Sequence, residues 1–490
     1  MIRSATTWLV PALLASTVSG APASKPIDAG VPSATATLKP LGSSPSLLKV
    51  PSQLLQEYRA GEFVVAKAAP SVDFALLPMQ KPISGSDTWL FSAWGDIAFG
   101  SDGNFYVGMG DHQALPGHAW VFQVNPRSRR IRTVVDVNKA LRPKKGMCAP
   151  GKIHAPMIDI GEHLYLIPYR GSRKYCDTRY GFKGEHLMRY HYKTGLTEDL
   201  GIPIPNCSVA QMNYHAASNR LYMFGAWCPA QKNPKVSRFA VYDIEKQKTI
   251  YLSDRDVEPY GSLRCMIVAP DGRAWYMTGH IATDERGRDV ETYKGRYALY
   301  DPKENRARMT DLTPPASPDD PHGYMRAASE PDDNGIVWCI SKEWGLGTPD
   351  PQHGAIIPFD TRTGRFGKSR GHCFAHSTLK RRVSLYTAVA KLDPTKTKVY
   401  YIPSAHGGAS RHGAALVQYD TGTNTRKVVA FLFDHIKSKT GYGLGGTYGI
   451  AVSKDGSKVC VNWMDERDRR KKETERRTAV TIVRIPGSER

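Results

Sequence analysis

Five histidines, His112, His154, His280, His322 and His406, occupy equivalent places in this chain, each near the start of one short apolar strand or the end of the next. Tyr169, Arg170, Arg264, Arg326 and Tyr448 fall at the same level. These residue types together offer proton transfer and anion binding. A neutral imidazole takes a proton near neutral pH, and a positioned acid or base is worth about 10²–10⁴ in rate. Arginine holds a carboxylate or sulfate through paired hydrogen bonds. One histidine alone is more often structural, but five on one rim beside arginines and tyrosines argue for a site. His215 falls in a turn at the opposite edge and is set aside.

A second cluster could hold metal. Gly371 to His376 places His372, Cys373 and His376 within a few residues. Zinc accepts such donors, with a fourth ligand from elsewhere. The alternative is a loop with incidental histidines and a thiol. The proton-transfer chemistry requires no cofactor, so a metal here, zinc or calcium, would be structural.

What positions these residues is a repeat. Seven copies of a four-strand unit run between Trp94 and Pro486. Their openings include Gly95-Asp96-Ile97, Ile153-His154-Ala155, Val209-Ala210-Gln211, Leu263-Arg264-Cys265, Gly323-Tyr324-Met325, Tyr386-Thr387-Ala388 and Tyr448-Gly449-Ile450, spaced about 54 to 63 residues apart. Such a period predicts an all-β, seven-bladed β-propeller with blades over about residues 92–487. Asp102-Gly103, Asp271-Gly272 and Asp455-Gly456 mark tight turns between first and second strands. The final copy shows three clear strands. Val72 to Pro78 is expected to supply the fourth and close the ring within a propeller domain spanning 53–490.

The first 21 residues read as a secretory signal: Arg3, an apolar stretch from Trp8 to Leu14, and the small residues Ser19-Gly20-Ala21. Residues 22–52, rich in Ala, Pro, Ser and Thr, are expected to be a flexible leader. No apolar run is long enough for a membrane span. The reading is a secreted, soluble monomer. Its formal net charge is +21, from 67 Lys and Arg against 46 Asp and Glu. For an exported chain, such a balance points to an acidic polysaccharide rather than nucleic acid. Basic runs such as Arg467 to Lys472 would line a polyanion groove, although a charge run is usually only a solvated loop. Eight cysteines suit an oxidising compartment. Cys148 and Cys176 bracket one blade edge, and Cys207 and Cys228 bracket the same edge of the next, which predicts the bonds Cys148–Cys176 and Cys207–Cys228.

Several segments carry a family resemblance. Gly151-Lys152-Ile153-His154-Ala155-Pro156, Leu164 to Gly171, Tyr400 to Gly407 and Gly445 to Ile450 resemble the seven-bladed propeller polysaccharide lyases of the ulvan lyase type, and a wider set of exported propellers. The resemblance implies that His154 matches the family's first catalytic histidine and Arg264 its arginine. Tyr169 stands where the family has a second histidine. Elimination from a uronate would then use Arg264, with Arg326, to neutralise the carboxylate. His154 would be the base and Tyr169 the acid or a partner base. Arg170, His280, His322, His406 and Tyr448 would contact the substrate. Two rivals stand beside this reading. One is a non-catalytic propeller binding anionic glycans or proteins. The other is a metal-dependent lactonase-type hydrolase, which the seventh copy disfavours.

Overall fold

The computed structural model describes residues 35–57, 63–78, 93–111, 117–144, 146–172, 175–227, 237–254, 257–259, 265–278, 280–283, 289–292, 296–315, 325–341, 354–374, 387–403, 408–466 and 477–490. Seven antiparallel blades form a β-propeller. The first strands of the blades are Ile97–Phe99, Ile158–Ile160, Cys207–His215, Ile267–Val268, Met325–Ala328, Lys391–Leu392 and Ile450–Val452. In blade two, the segment read as the opening strand divides. Pro150–Ile153 pairs with Pro168–Arg170 in a separate two-stranded ribbon, and the blade begins after it.

The turns explain why the repeat is legible. Gly103, Gly272 and Gly456 have φ of 81°, 85° and 67°, a left-handed conformation that glycine adopts without a Cβ penalty. At the other recurrent turn, the aspartates of Tyr242-Asp243, Tyr300-Asp301 and Phe359-Asp360 accept backbone N–H groups of Lys246, Lys303 and Arg362, each at 2.9 Å. The aromatic partner packs inward, fully or nearly buried. Each repeat thus caps its own turn and contributes a ring to the core.

The core lies between blades. Phe105, Val107 and Trp120 of blade one pack with Ala451, Cys460 and Ile482 of blade seven in one cluster. Ring closure follows the expectation. Ser71–Leu76 pairs antiparallel with Thr478–Arg484, the last strand of blade seven. Asp73, 3% exposed, fixes that seam: its Oδ2 accepts from Arg484 Nη2 at 2.7 Å and Arg129 Nε at 3.4 Å. Asp73→Ala removes the carboxylate partner of Arg484 at the closure, leaving that guanidinium only the Pro126 carbonyl at 2.7 Å, and is expected to cost about 1–3 kcal/mol. A chemical melt compares it with wild type, and an unchanged midpoint would show that the seam does not depend on this pair.

Residues 35–52, part of the flexible leader expected over 22–52, form regular structure, and 22–34 lie outside the described residues. Thr35–Thr37 joins the outer edge of blade one, and Lys39–Ser43 pairs with the closing strand. Leu38, Leu41 and Leu47 are buried, which is what a composition average over this segment conceals. Among the described residues no helix is long and apolar enough to cross a membrane.

Candidate functional site

The two-stranded ribbon of blade two carries the densest set of chemically capable side chains. Period-two alternation puts Lys152 and His154 on one face and Ile153 on the other. Ile153 is buried against Gly108 of blade one. Across the ribbon, Tyr169 stands opposite Lys152, and a bulge lies between Tyr169 and Arg170. The ribbon approaches blade one so closely that side chains would not fit. A Cβ on Gly95 would lie 2.0 Å from the Ile153 carbonyl oxygen, and one on Gly110 would lie 2.0 Å from that of Gly151.

This packing builds a stack. The rings of His154 and Tyr169 lie 4.9 Å apart, tilted by 30°. Lys152 Nζ sits 4.7 Å from the Tyr169 ring centroid and 4.9 Å from that of Trp94. Arg170 holds its guanidinium 5.0 Å from the Tyr169 ring. Trp94 in turn packs on Tyr448 of blade seven at 4.7 Å. Two cations thus meet one aromatic ring, an arrangement stabilised by the ring quadrupole. His154 Nδ1 lies 3.1 Å from the Ala210 carbonyl oxygen. A carbonyl only accepts, so Nδ1 carries the proton of the neutral ring and Nε2 is the basic nitrogen.

Of the residues expected at the rim, the structure brings His154, Tyr169 and Arg170 together, with Tyr448 joined through Trp94. Arg326 is buried in the inner strand of blade five. His280 opens a short hairpin strand, His280–Thr283. Arg264, His322, His406 and His112 lie outside the described residues. His154 and Tyr169 are each only 4% exposed. Lys152, legible in the sequence only as one of the basic residues before copy two, and Trp94 complete the stack. Alternation about Ile153 is the signal that ties Lys152 to His154.

Beneath the ribbon lies a buried acid. Glu185, 3% exposed, accepts from the Ser208 hydroxyl at 3.1 Å. Burial pushes its carboxyl up to about 8, against the opposing pull of Ser208 and Arg170. The folded state therefore keeps a proton that the unfolded chain releases above the ordinary carboxylate range. Stability should fall as pH rises from about 4.5 to 8, by at most about 1.4 kcal/mol per pH unit from this group. Glu185→Gln should flatten that slope in denaturant melts taken across the range. An identical slope in the variant would remove Glu185 from the account.

The cysteine expectation is corrected. Cys176 is in a disulfide, but Cys148 and Cys207 are thiols, so neither expected bond forms. Cys148 packs beside Cys176, and burial pushes its thiol up to about 12, reinforced by the Glu185 charge. Cys207 is 1% exposed, stands opposite Trp227 and joins the apolar cluster with Ile204 and Val209. A shared blade edge gives proximity of backbones, whereas a disulfide also needs converging Cβ directions. Cys228 lies outside the described residues.

Of the three donors expected to hold a metal, two lie among the described residues. Cys373 is fully buried with its Sγ 3.7 Å from the Thr387 hydroxyl. His372 is held by its backbone, whose carbonyl accepts from Arg426 Nε at 2.5 Å. His376 lies outside the described residues. Among the described residues no group of three His, Cys, Asp or Glu side chains converges as a metal site.

No family model matches this sequence, and no curated protein matches it. Solved structures do. One titled "Oligogalacturonate lyase in complex with manganese" aligns with a TM-score of 0.51 at 11% identity, covering 93% of this chain and 98% of its own. The Neurospora crassa Pan2 WD40 domain aligns with a TM-score of 0.46 at 10% identity, covering 84% and 94%. The likeness is one of fold. At such identity it assigns no activity to the ribbon site, and neither match bears on the ulvan lyase type in particular.

Proposed function

We propose that this propeller is a polysaccharide lyase that cleaves an acidic, uronate-containing glycan by β-elimination. The observation that carries the reading is the His154–Tyr169 stack flanked by Lys152 and Arg170. Elimination needs the carboxylate neutralised, the adjacent C5 proton removed, and the C4 oxygen protonated as its bond breaks. His154 has its Nδ1 proton committed to Ala210, which directs Nε2 toward the base role. Tyr169, in ring contact with His154, is the acid that meets the leaving oxygen or a second base. Lys152 and Arg170, with Arg264 and Arg326 assigned from sequence, supply positive charge where the carboxylate gains electron density. The net charge of +21 favours a polyanionic substrate. A neighbour of the same fold acts on oligogalacturonate, also a uronate.

A second reading has an observation of its own. The 4% exposure of His154 and Tyr169 favours a propeller that binds anionic glycans without cleaving them. Incubation with a panel of acidic polysaccharides, sulfated and unsulfated, separates the two. New ultraviolet absorbance from unsaturated uronate ends supports elimination. Salt-sensitive binding with no new absorbance on any member would replace it with the binding reading.

A further inference from the structure

A groove of about 510 Å³ lies between the outer edge of blade five and a turn of blade six, on blades that do not carry the ribbon. Pro358, Gly367, Lys368, Ser369, Arg370 and Asn424 line it, with no carboxylate among them. Both walls are fixed. On blade five the chain beyond Arg365–Phe366 stays on the sheet edge, where the N–H groups of Gly367 and Arg370 donate to the carbonyls of Pro358 and Ile356, each at 2.8 Å. On blade six Asn424 sits in the turn after Ala415–Asp420 with φ of 59°. Its side-chain carbonyl accepts from the Tyr419 hydroxyl at 3.1 Å and from Arg426 Nη1 at 3.2 Å, which leaves the amide NH2 group to donate.

Arg426 ties the two walls together. It is 9% exposed, and its guanidinium lies 5.2 Å from the Tyr419 ring centroid. Nη2 donates to the carbonyl of Arg370 at 2.6 Å, Nε to that of His372 at 2.5 Å and Nη1 to that of Asn424 at 2.9 Å. Every one of these partners is a carbonyl dipole. A cation buried on dipoles alone is costly unless an opposite charge answers it. The segments that form the groove, 356–372 of blade five and 415–431 of blade six, hold only two carboxylates, Asp360 and Asp420. Asp360 is paired with Arg362 at 3.3 Å, and Asp420 is held below the ordinary carboxylate range by its turn hydrogen bonds and by Lys398. Lys427 is paired with Glu489 at 3.0 Å. Arg365, Lys368, Arg370 and Arg426 are left without a carboxylate partner among the described residues.

We propose that this groove binds a tetrahedral oxyanion, a sulfate or phosphate group, at a site separate from the ribbon. Lys368, Arg370 and the Asn424 amide present donors from three side chains on two walls, which suits a group with three or more oxygens better than the two oxygens of a carboxylate. Lys368, Arg370 and Asn424 are exposed, so an entering anion reaches them directly. Arg426 acts without contact, by fixing both walls and adding its charge beneath them. The volume exceeds that of the anion alone and leaves room for a sugar or other group that carries it.

This inference does not rest on the elimination reading, and its test uses no polymer cleavage. Full-length protein at low ionic strength is titrated by calorimetry with inorganic sulfate, inorganic phosphate and galacturonate, and then with dextran sulfate and polyphosphate. Sulfate or phosphate should bind saturably in the low millimolar range, tighter than galacturonate, and added sodium chloride should weaken it. Whichever polymer binds more tightly names the source of the anion, and either result supports the site. The double variant Lys368→Ala/Arg370→Ala should weaken the inorganic anion about tenfold or more. Arg127→Ala/Arg130→Ala, which removes the same charge from exposed positions on blade one, should change it less than about threefold. Asn424→Asp keeps the acceptor for Tyr419 and Arg426 but replaces the donor with an anion. It should also weaken binding about tenfold, with no fall in melting temperature, because the new carboxylate faces Arg426. Absence of saturable sulfate or phosphate binding up to roughly 50 mM would overturn the proposal. An equal loss in both double variants would overturn it in favour of general surface charge, and equal affinity for galacturonate would overturn the assignment to a tetrahedral anion.

Discussion

His154→Ala should lower the formation of unsaturated ends by about 10²–10⁴-fold on whichever acidic polysaccharide the wild type cleaves, the range expected for removing a general base. The same change has a structural cost. It leaves the Ala210 carbonyl, buried in the third blade, without its partner, worth about 1–3 kcal/mol. The two effects are separable because one is read in rate and the other in melting temperature. A folded variant that has lost the rate supports the base role. A folded variant with full rate would end it. Tyr169→Phe sharpens the test, since it keeps the ring that packs on His154, Lys152 and Arg170 and deletes only the hydroxyl. Proton transfer through that hydroxyl predicts a loss close to that of His154→Ala. A purely stacking role predicts almost none.

The repeat and the chemistry were legible to different depths, and the reason is physical. Blade number, the glycine turns and the closing strand were written in local patterns. Asp-Gly at a tight turn and an aromatic-Asp pair at the next each satisfy their own backbone, so they recur wherever the fold recurs. Ser71–Leu76 was legible because the last blade lacked a strand and only one apolar segment remained to fill it. Side-chain direction was not local. Cys207 lies at the blade edge the sequence suggested, yet it is a thiol packed in an apolar cluster. The channel wall of Asp96, Glu330 and Lys391 joins three blades and has no spacing signature. Lys152 was visible as charge, but its place between two rings depends on Trp94 from another blade.

Gly110→Ala should be the most damaging change of a single methyl group near the site, although it touches no residue of the stack. The added Cβ would lie 2.0 Å from the Gly151 carbonyl oxygen and 2.8 Å from that of His118. Both obstacles are backbone, so no side-chain rotation relieves them. His118 cannot yield easily. It is 1% exposed, stacks on Trp120 at 3.8 Å and bonds Asp136 at 2.7 Å. The strand that must move is Pro150–Ile153, which carries Lys152 and leads directly into His154. Overpacking of this kind is expected to cost about 3 kcal/mol or more. The shift should also separate Lys152 and His154 from Tyr169, and a misplacement near 1 Å can cost about 10²-fold in rate. Gly487→Ala is the control, because its Cβ meets nothing within 4 Å and its expected effect is within about 0.5 kcal/mol. Thermal melts of the two variants, with cleavage or glycan binding measured at a temperature where both are folded, decide the matter. A Gly110→Ala protein with wild-type melting and wild-type function would mean that the ribbon can leave blade one without consequence, and that the close glycine contact does not hold the site in place.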